Sequence, residues 1–168
     1  IELSSTGLSG FNLVTDMYMG ARADLNQDRH FLGRLALVKI FETPLDASDV
    51  ACVFADDEPK LPGFGCAAEI TLDLDISLPL LENAKNTVED GPQARLMGSA
   101  VVTSSGVAFD GSGAYAKIEE DTYAEAGGFT ISLWATKEEC TTGPWEYVYS
   151  HTKDASMSIL DTGNSNIN

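Results

Sequence analysis

Apolar positions along this chain recur with a period of two, with no sustained helical period, and this predicts strands in most of its regular segments. Arg34-Leu35-Ala36-Leu37-Val38-Lys39-Ile40-Phe41 lies between Gly33 and Pro44 and is rich in β-branched and aromatic residues. It reads as a strand buried on at least one face. Residues 69–76 alternate strictly, with Ile70, Leu72, Leu74 and Ile76 on one face and Glu69, Thr71, Asp73 and Asp75 on the other. That is the pattern of a half-exposed antiparallel strand. Residues 100–102, 129–136 (Phe129, Ile131 and Leu133 to one side), 145–149 and 157–160 add further strands. Segments 107–109 and 114–118 flank Asp110-Gly111-Ser112-Gly113. Those glycines supply the positive φ of a tight turn, so a hairpin is predicted.

The remaining stretches break the pattern. Residues 45–50 hold a turn and a cap-like Asp/Ser, enough for one short helical turn before Cys52. Two prolines and two glycines in 59–65 cannot sustain a ladder or a helix, which marks a linker. Residues 80–95 are polar, with Asn83, Asn86, Gly91 and Pro92, and read as a long loop with room for one helical turn. Strands about every ten residues with Gly turns between them indicate an all-β antiparallel two-sheet sandwich. An up-and-down barrel is the competing closure.

Composition narrows the function more than the fold. A length of 168 residues allows one sizeable core, or pieces of two. Twenty-six acidic residues against ten basic ones give a formal charge of −16. Such a surface repels polyanions, which argues against nucleic-acid binding, and it suits cations or a basic protein patch. No apolar run approaches the roughly 20 residues that span a bilayer, so this segment is not expected to insert into a membrane. The opening Ile1-Glu2-Leu3 is neither a signal peptide nor an initiator Met, as expected of an internal cut, and no glycosylation sequon occurs. The three cysteines leave two readings open. In one, Cys52 and Cys66 close a loop across Pro59, Pro62 and Gly63, leaving Cys140 over, in a secreted protein; in the other, all three are reduced, partly buried thiols.

Two stretches resemble laminin-G-like and pentraxin-like domains. The first is Met17-Tyr18-Met19-Gly20-Ala21-Arg22, then residues 31–41 in the pattern F-x-G-x-[IL]-x-x-V-x-I-[FY], then 45–50. It is similar to the end of that fold. The second, residues 106–115 followed by Gly128-Phe129-Thr130-Ile131-Ser132-Leu133-Trp134, is similar to its opening. The resemblance covers about half the chain and implies a concanavalin A-like, jelly-roll-type sandwich with an incomplete or permuted set of strands. The family's ending thus precedes its beginning, and its middle strands are missing. Three accounts fit this order. Taken first is a piece of a tandem-repeat protein, in which 1–58 close one module, 59–67 link, and 68–168 open a second. The others are a circularly permuted single sandwich and a sandwich completed by strands from a partner chain.

Candidate chemistry is sparse. Glu69, Thr71, Asp73 and Asp75 resemble the E-x-D-x-E strand of β-sandwich glucanases, yet Thr71 interrupts the carboxylates and Ser77 stands where the next acid is needed, which leaves a solvated strand face. Asp24, Asn26 and Asp28 have the one-three-five oxygen spacing of a Ca²⁺ loop, but Arg29 replaces the turn glycine and Leu35 the bidentate Glu, which favours an ordinary acidic surface loop. The pentraxin-like resemblance implies Ca²⁺ ligands at Asp110 and Asp154, although Ala155 and Ser156 follow the latter where Asn and Glu would help. Asp110 also suits a purely backbone role in its turn. His30 and His151 lack a nucleophile motif nearby, so no catalysis is expected. Trp134 is expected in the core, and Trp145, beside Pro144, is expected to pack in the core or at a hinge, with a sugar-stacking platform as the alternative. The function expected is therefore non-catalytic binding or adhesion within a larger secreted, cell-surface or organelle-lumen protein. The partners would be glycans or protein subunits, with Ca²⁺ as the candidate cofactor. The alternative is a structural module docking on neighbouring subunits of a large assembly.

Overall fold

The structure is a computed structural model that describes residues 3–6, 13–26, 29–57, 74–123, 128–138 and 146–150. Two antiparallel sheets face each other. The larger contains β1 (Leu3–Thr6), β9 (Gly128–Lys137), β3 (Leu32–Phe41), β7 (Gly106–Asp110) and β6 (Val101–Thr103) in that order, and β4 (Leu74–Leu78) also pairs with β3. The smaller runs β10 (Tyr149–Ser150), β2 (Leu13–Met19), β8 (Tyr115–Tyr123) and β5 (Ala94–Met97). This is the all-β sandwich expected from the alternation. Strands from residues 1–58 and from residues 68–168 interleave in both sheets, and they share one core.

β3 is the central element. One edge pairs with β9, and the other pairs first with β7 and then with β4. The change of partner coincides with a bulge: Leu37 has a φ of 50°, its N–H donates to the Pro79 carbonyl at 3.0 Å, and the register with β9 shifts between Ala36 and Lys39. An extra residue reverses the side-chain alternation beyond it. Leu35 therefore points into the core before the bulge, and Val38 and Ile40 do so after it. Ile76 and Leu78 of β4, Val107 and Phe109 of β7 and Ile131 of β9 complete this half. Met17, Met19, Ala116 and Ile118 supply the other half from the smaller sheet.

Several elements differ from the sequence expectation. Residues 47–57 form an 11-residue helix, α1 (Ala47–Asp57), and not a single turn. Asp46 Oδ1 caps it, accepting from the N–H groups of Ser48 at 2.8 Å and Asp49 at 2.9 Å. β5 occupies the end of the predicted long loop, and residues 79–93 contain no helical turn. The segments around Asp110-Gly111-Ser112-Gly113 are not a hairpin, because β7 and β8 lie in different sheets. Gly111 (φ 71°) and Gly113 (φ 112°) turn the chain across the sandwich, and the tight hairpin is instead β6–β7. Trp134 is not in the inter-sheet core. It lies opposite Ala36 on the outer face of the larger sheet, with Phe54 of α1 stacked on it at 5.6 Å.

Gly20, at φ 83°, shows why the turn after β2 needs glycine. A Cβ there would come within 2.6 Å of the Phe109 ring. Beyond this turn, residues 21–26 and 29–31 are irregular and include His30.

Candidate functional site: the outer face of the smaller sheet

Met17, Met19, Ala116 and Ile118 fill the core, so strand alternation turns Asp16, Tyr18, Tyr115 and Lys117 to the opposite face. Tyr18 is registered with Lys117, and β5 adds Arg95 opposite Lys117 and Met97 opposite Tyr115. The Tyr18 and Tyr115 ring centroids are 6.0 Å apart with their planes tilted by 45°. His30 forms a third ring, 6.4 Å from Tyr115 and nearly parallel to it at 15°.

A salt-linked strip flanks the rings. Lys117 Nζ is 2.9 Å from Asp16 Oδ2 and 3.7 Å from Glu119 Oε1, and Arg95 Nη1 is 3.4 Å from the same Glu119 oxygen. The hydrogen bond to Asp16 holds the Lys117 ammonium above its ordinary pKa. Burial, reinforced by the Asp16 charge, raises the Tyr18 phenol as well. Near neutral pH the strip thus presents a charged ammonium beside a protonated phenol. His30 is 5% exposed, and neither ring nitrogen has a hydrogen-bond partner. No nucleophile–base contact is formed at this imidazole. Chemically, the face offers rigid aromatic surfaces whose negative π-clouds suit C–H groups, bordered by donors and acceptors for hydroxyls.

Comparison with protein-family models, curated proteins and solved structures finds no match.

Of the sequence-predicted ligands, Asp24, Asn26 and Asp110 lie among the described residues. Asp24 Oδ2 is salt-bridged to Arg22 and its Oδ1 accepts from the Asn26 N–H at 3.2 Å. Asp110 Oδ2 accepts from the Ser99 hydroxyl, and its Oδ1 accepts from the N–H groups of Ser112 at 2.8 Å and Ala114 at 3.2 Å. These bonds, led by the Ser99 hydroxyl, depress the Asp110 pKa and hold the corner between the sheets. Both carboxylates thus help to shape their own loops. Among the described residues, no group of three or more His, Cys, Asp or Glu could hold a metal ion. Asp28, Asp154, Trp145 and Cys66 lie outside the described residues. Cys52 is disulfide-bonded, to a partner that also lies outside them.

Sequence reasoning missed the Tyr18–Tyr115–His30 group. The runs Met17-Tyr18-Met19 and Ala114-Tyr115-Ala116-Lys117-Ile118 signal their outward set by alternation, but nothing local says that the two strands are neighbours. It also missed Glu146. This buried carboxylate accepts from the Leu32 N–H at 3.2 Å and pairs with Lys137 Nζ at 3.2 Å, tying the segment before β10 to β3 and β9.

Proposed function

We propose that this chain is a non-catalytic binding region that recognises carbohydrate on the outer face of its smaller sheet. The observation that carries the proposal is the pair of half-buried rings Tyr18 and Tyr115, with the buried His30 ring backing Tyr115 and the Asp16–Lys117 pair at the border. Pyranose rings present C–H groups on one face and hydroxyls at the rim, matching aromatic faces with polar borders. The laminin-G-like resemblance belongs to the same reading, as does secretion or display at a cell surface. The Cys52 disulfide supports the latter, because such bonds persist in oxidising compartments. A second reading, docking on neighbouring subunits of an assembly, is favoured by the apolar Met97 and Val101, the latter 55% exposed, on β5 and β6. Among the described residues, no helix is long and apolar enough to cross a membrane.

A glycan array probed with and without a chelator separates these readings. The carbohydrate reading expects binding in both conditions, with loss in Tyr18→Ala and Tyr115→Ala. Absence of binding in both conditions refutes it in favour of assembly.

A further inference from the structure

We infer that the ligand of this face is a curved, uncharged glycan chain in solution, and not the flat surface of a crystalline polysaccharide or a polyanionic glycan. The inference rests on the carbohydrate reading above and adds shape and charge to it. Shape follows from the rings. With planes 45° apart and centroids 6.0 Å apart, Tyr18 and Tyr115 cannot both lie flat against one plane. A planar array that stacked on one would meet the other obliquely. A chain whose successive sugar rings turn relative to each other can stack on both.

The tilt is built into the sheet. Tyr18 is registered with Lys117, so Tyr115, two positions earlier on β8, is its diagonal neighbour. Adjacent strands are also rotated by about 20–25°. The rings are held in these orientations. The Tyr18 hydroxyl donates to Asp16 at 3.4 Å, and the His30 ring lies nearly parallel to Tyr115.

Charge follows from the strip. Asp16, Lys117, Glu119 and Arg95 are two acids and two bases linked to one another, so the strip carries no net charge to attract a uronate or a sulfate. The chain's formal charge of −16 adds long-range repulsion of polyanions. Hydroxyls are the groups that such a paired strip can still bond, through the remaining donor and acceptor directions of its charged ends.

The test uses soluble laminarin, amylose and glucomannan in affinity electrophoresis, microcrystalline cellulose and chitin in sedimentation, and immobilised heparin, each with wild-type protein and with Tyr18→Ala and Tyr115→Ala. Tyr18→Phe and Tyr115→Phe keep the rings, and urea unfolding checks that every variant is folded. The expected result is binding to at least one soluble neutral glycan, weakened about tenfold by either alanine and less by phenylalanine. No retention on cellulose, chitin or heparin is expected. Retention on cellulose or chitin that the alanine variants abolish overturns the shape inference and leaves the carbohydrate reading standing. Heparin binding that the alanine variants abolish overturns the charge inference in the same way. Soluble-glycan binding that neither alanine weakens overturns the placement on this face. No binding to any of these probes removes both the inference and the reading beneath it.

Discussion

Asn86 is the residue whose removal the structure makes most quantitative. It is buried in the 79–93 segment, and its side chain uses all of its hydrogen-bonding capacity. Nδ2 donates to the carbonyls of Asp75 and Pro92, both at 3.1 Å. Oδ1 accepts from the N–H groups of Ser77 at 2.9 Å and Val88 at 3.0 Å. The amide thus fastens the irregular segment to β4. Asn86→Ala strands two N–H groups and two carbonyls. Each bond is worth about 0.5–1.5 kcal/mol net, and entry of water recovers part of the loss, so the expected cost is about 2–4 kcal/mol. For a domain of this size that lowers Tm by roughly 4–16 °C.

Asn86→Asp keeps the acceptors but turns a carboxylate towards two carbonyl oxygens. Its folded pKa is then raised above the unfolded value near 3.9. The variant is therefore closest to wild type below about pH 4 and loses stability as pH rises through the folded pKa. A Cβ at Gly91 would sit 2.3 Å from Asn86 Nδ2 and 2.9 Å from the Asp75 carbonyl oxygen. Gly91→Ala is thus expected to cost less in the Asn86→Ala background than alone. Urea unfolding of the four-variant cycle measures this. An Asn86→Ala cost under about 0.5 kcal/mol, or strict additivity with Gly91→Ala, refutes the reasoning.

Three further outcomes are expected. His30→Phe removes two buried, unpartnered nitrogens while keeping a ring beside Tyr115, and should raise stability by about 1 kcal/mol in urea unfolding; a loss of stability counts against the burial argument. Asp110 has a folded pKa below the unfolded value near 3.9, so its contribution is present above that pH and is lost as pH falls through the folded pKa. Asp110→Asn should flatten the acid limb of stability against pH, and an unchanged limb means that the corner is held by other groups. Glu146→Ala leaves Lys137 and the Leu32 N–H without their partner and should cost about 3 kcal/mol, with Glu146→Gln in between, while a cost near zero in thermal unfolding shows the pair to be a solvated one.

What could be read from the sequence was whatever one strand states by itself. Ile76 and Leu78 continue inward the alternation that began at Ile70, and Ile131 and Leu133 face the core as the pattern requires. Pairing between distant segments was hidden. Asp110-Gly111-Ser112-Gly113 has the composition of a hairpin turn, yet a reversal of direction does not require the flanking strands to pair, and here they separate into two sheets. The bulge at Leu37 was equally silent, because a leucine at positive φ is imposed by the competing partners β4, β7 and β9. The site depends on a pairing of the same kind. Tyr18 and Tyr115 become neighbours only because β2 lies beside β8.

The geometry of that site is set partly from outside the smaller sheet. His30 ends a loop that leaves β2 at Gly20, whose N–H donates to the Val148 carbonyl at 3.0 Å and whose carbonyl accepts from the Phe31 N–H at 2.8 Å. The loop is held further by the Ala23 N–H on Ser150 Oγ at 3.0 Å and by Arg29 Nη1 on the Tyr147 hydroxyl at 3.3 Å. Arg22 and Arg29 each place a guanidinium 5.9 Å from the Tyr147 ring centroid. Tyr147 in turn follows Glu146, which is anchored on β3 and β9 through Leu32 and Lys137. An acidic chain thus uses several of its few cations to lock the segment 146–150 against the loop that carries His30. Loosening Glu146 is expected to reach the aromatic face through this chain of contacts. Glu146→Gln should broaden the Tyr115 ring resonances in NMR before it unfolds the protein. Unchanged Tyr115 resonances alongside a measurable loss of stability would show that the lock serves the sandwich alone.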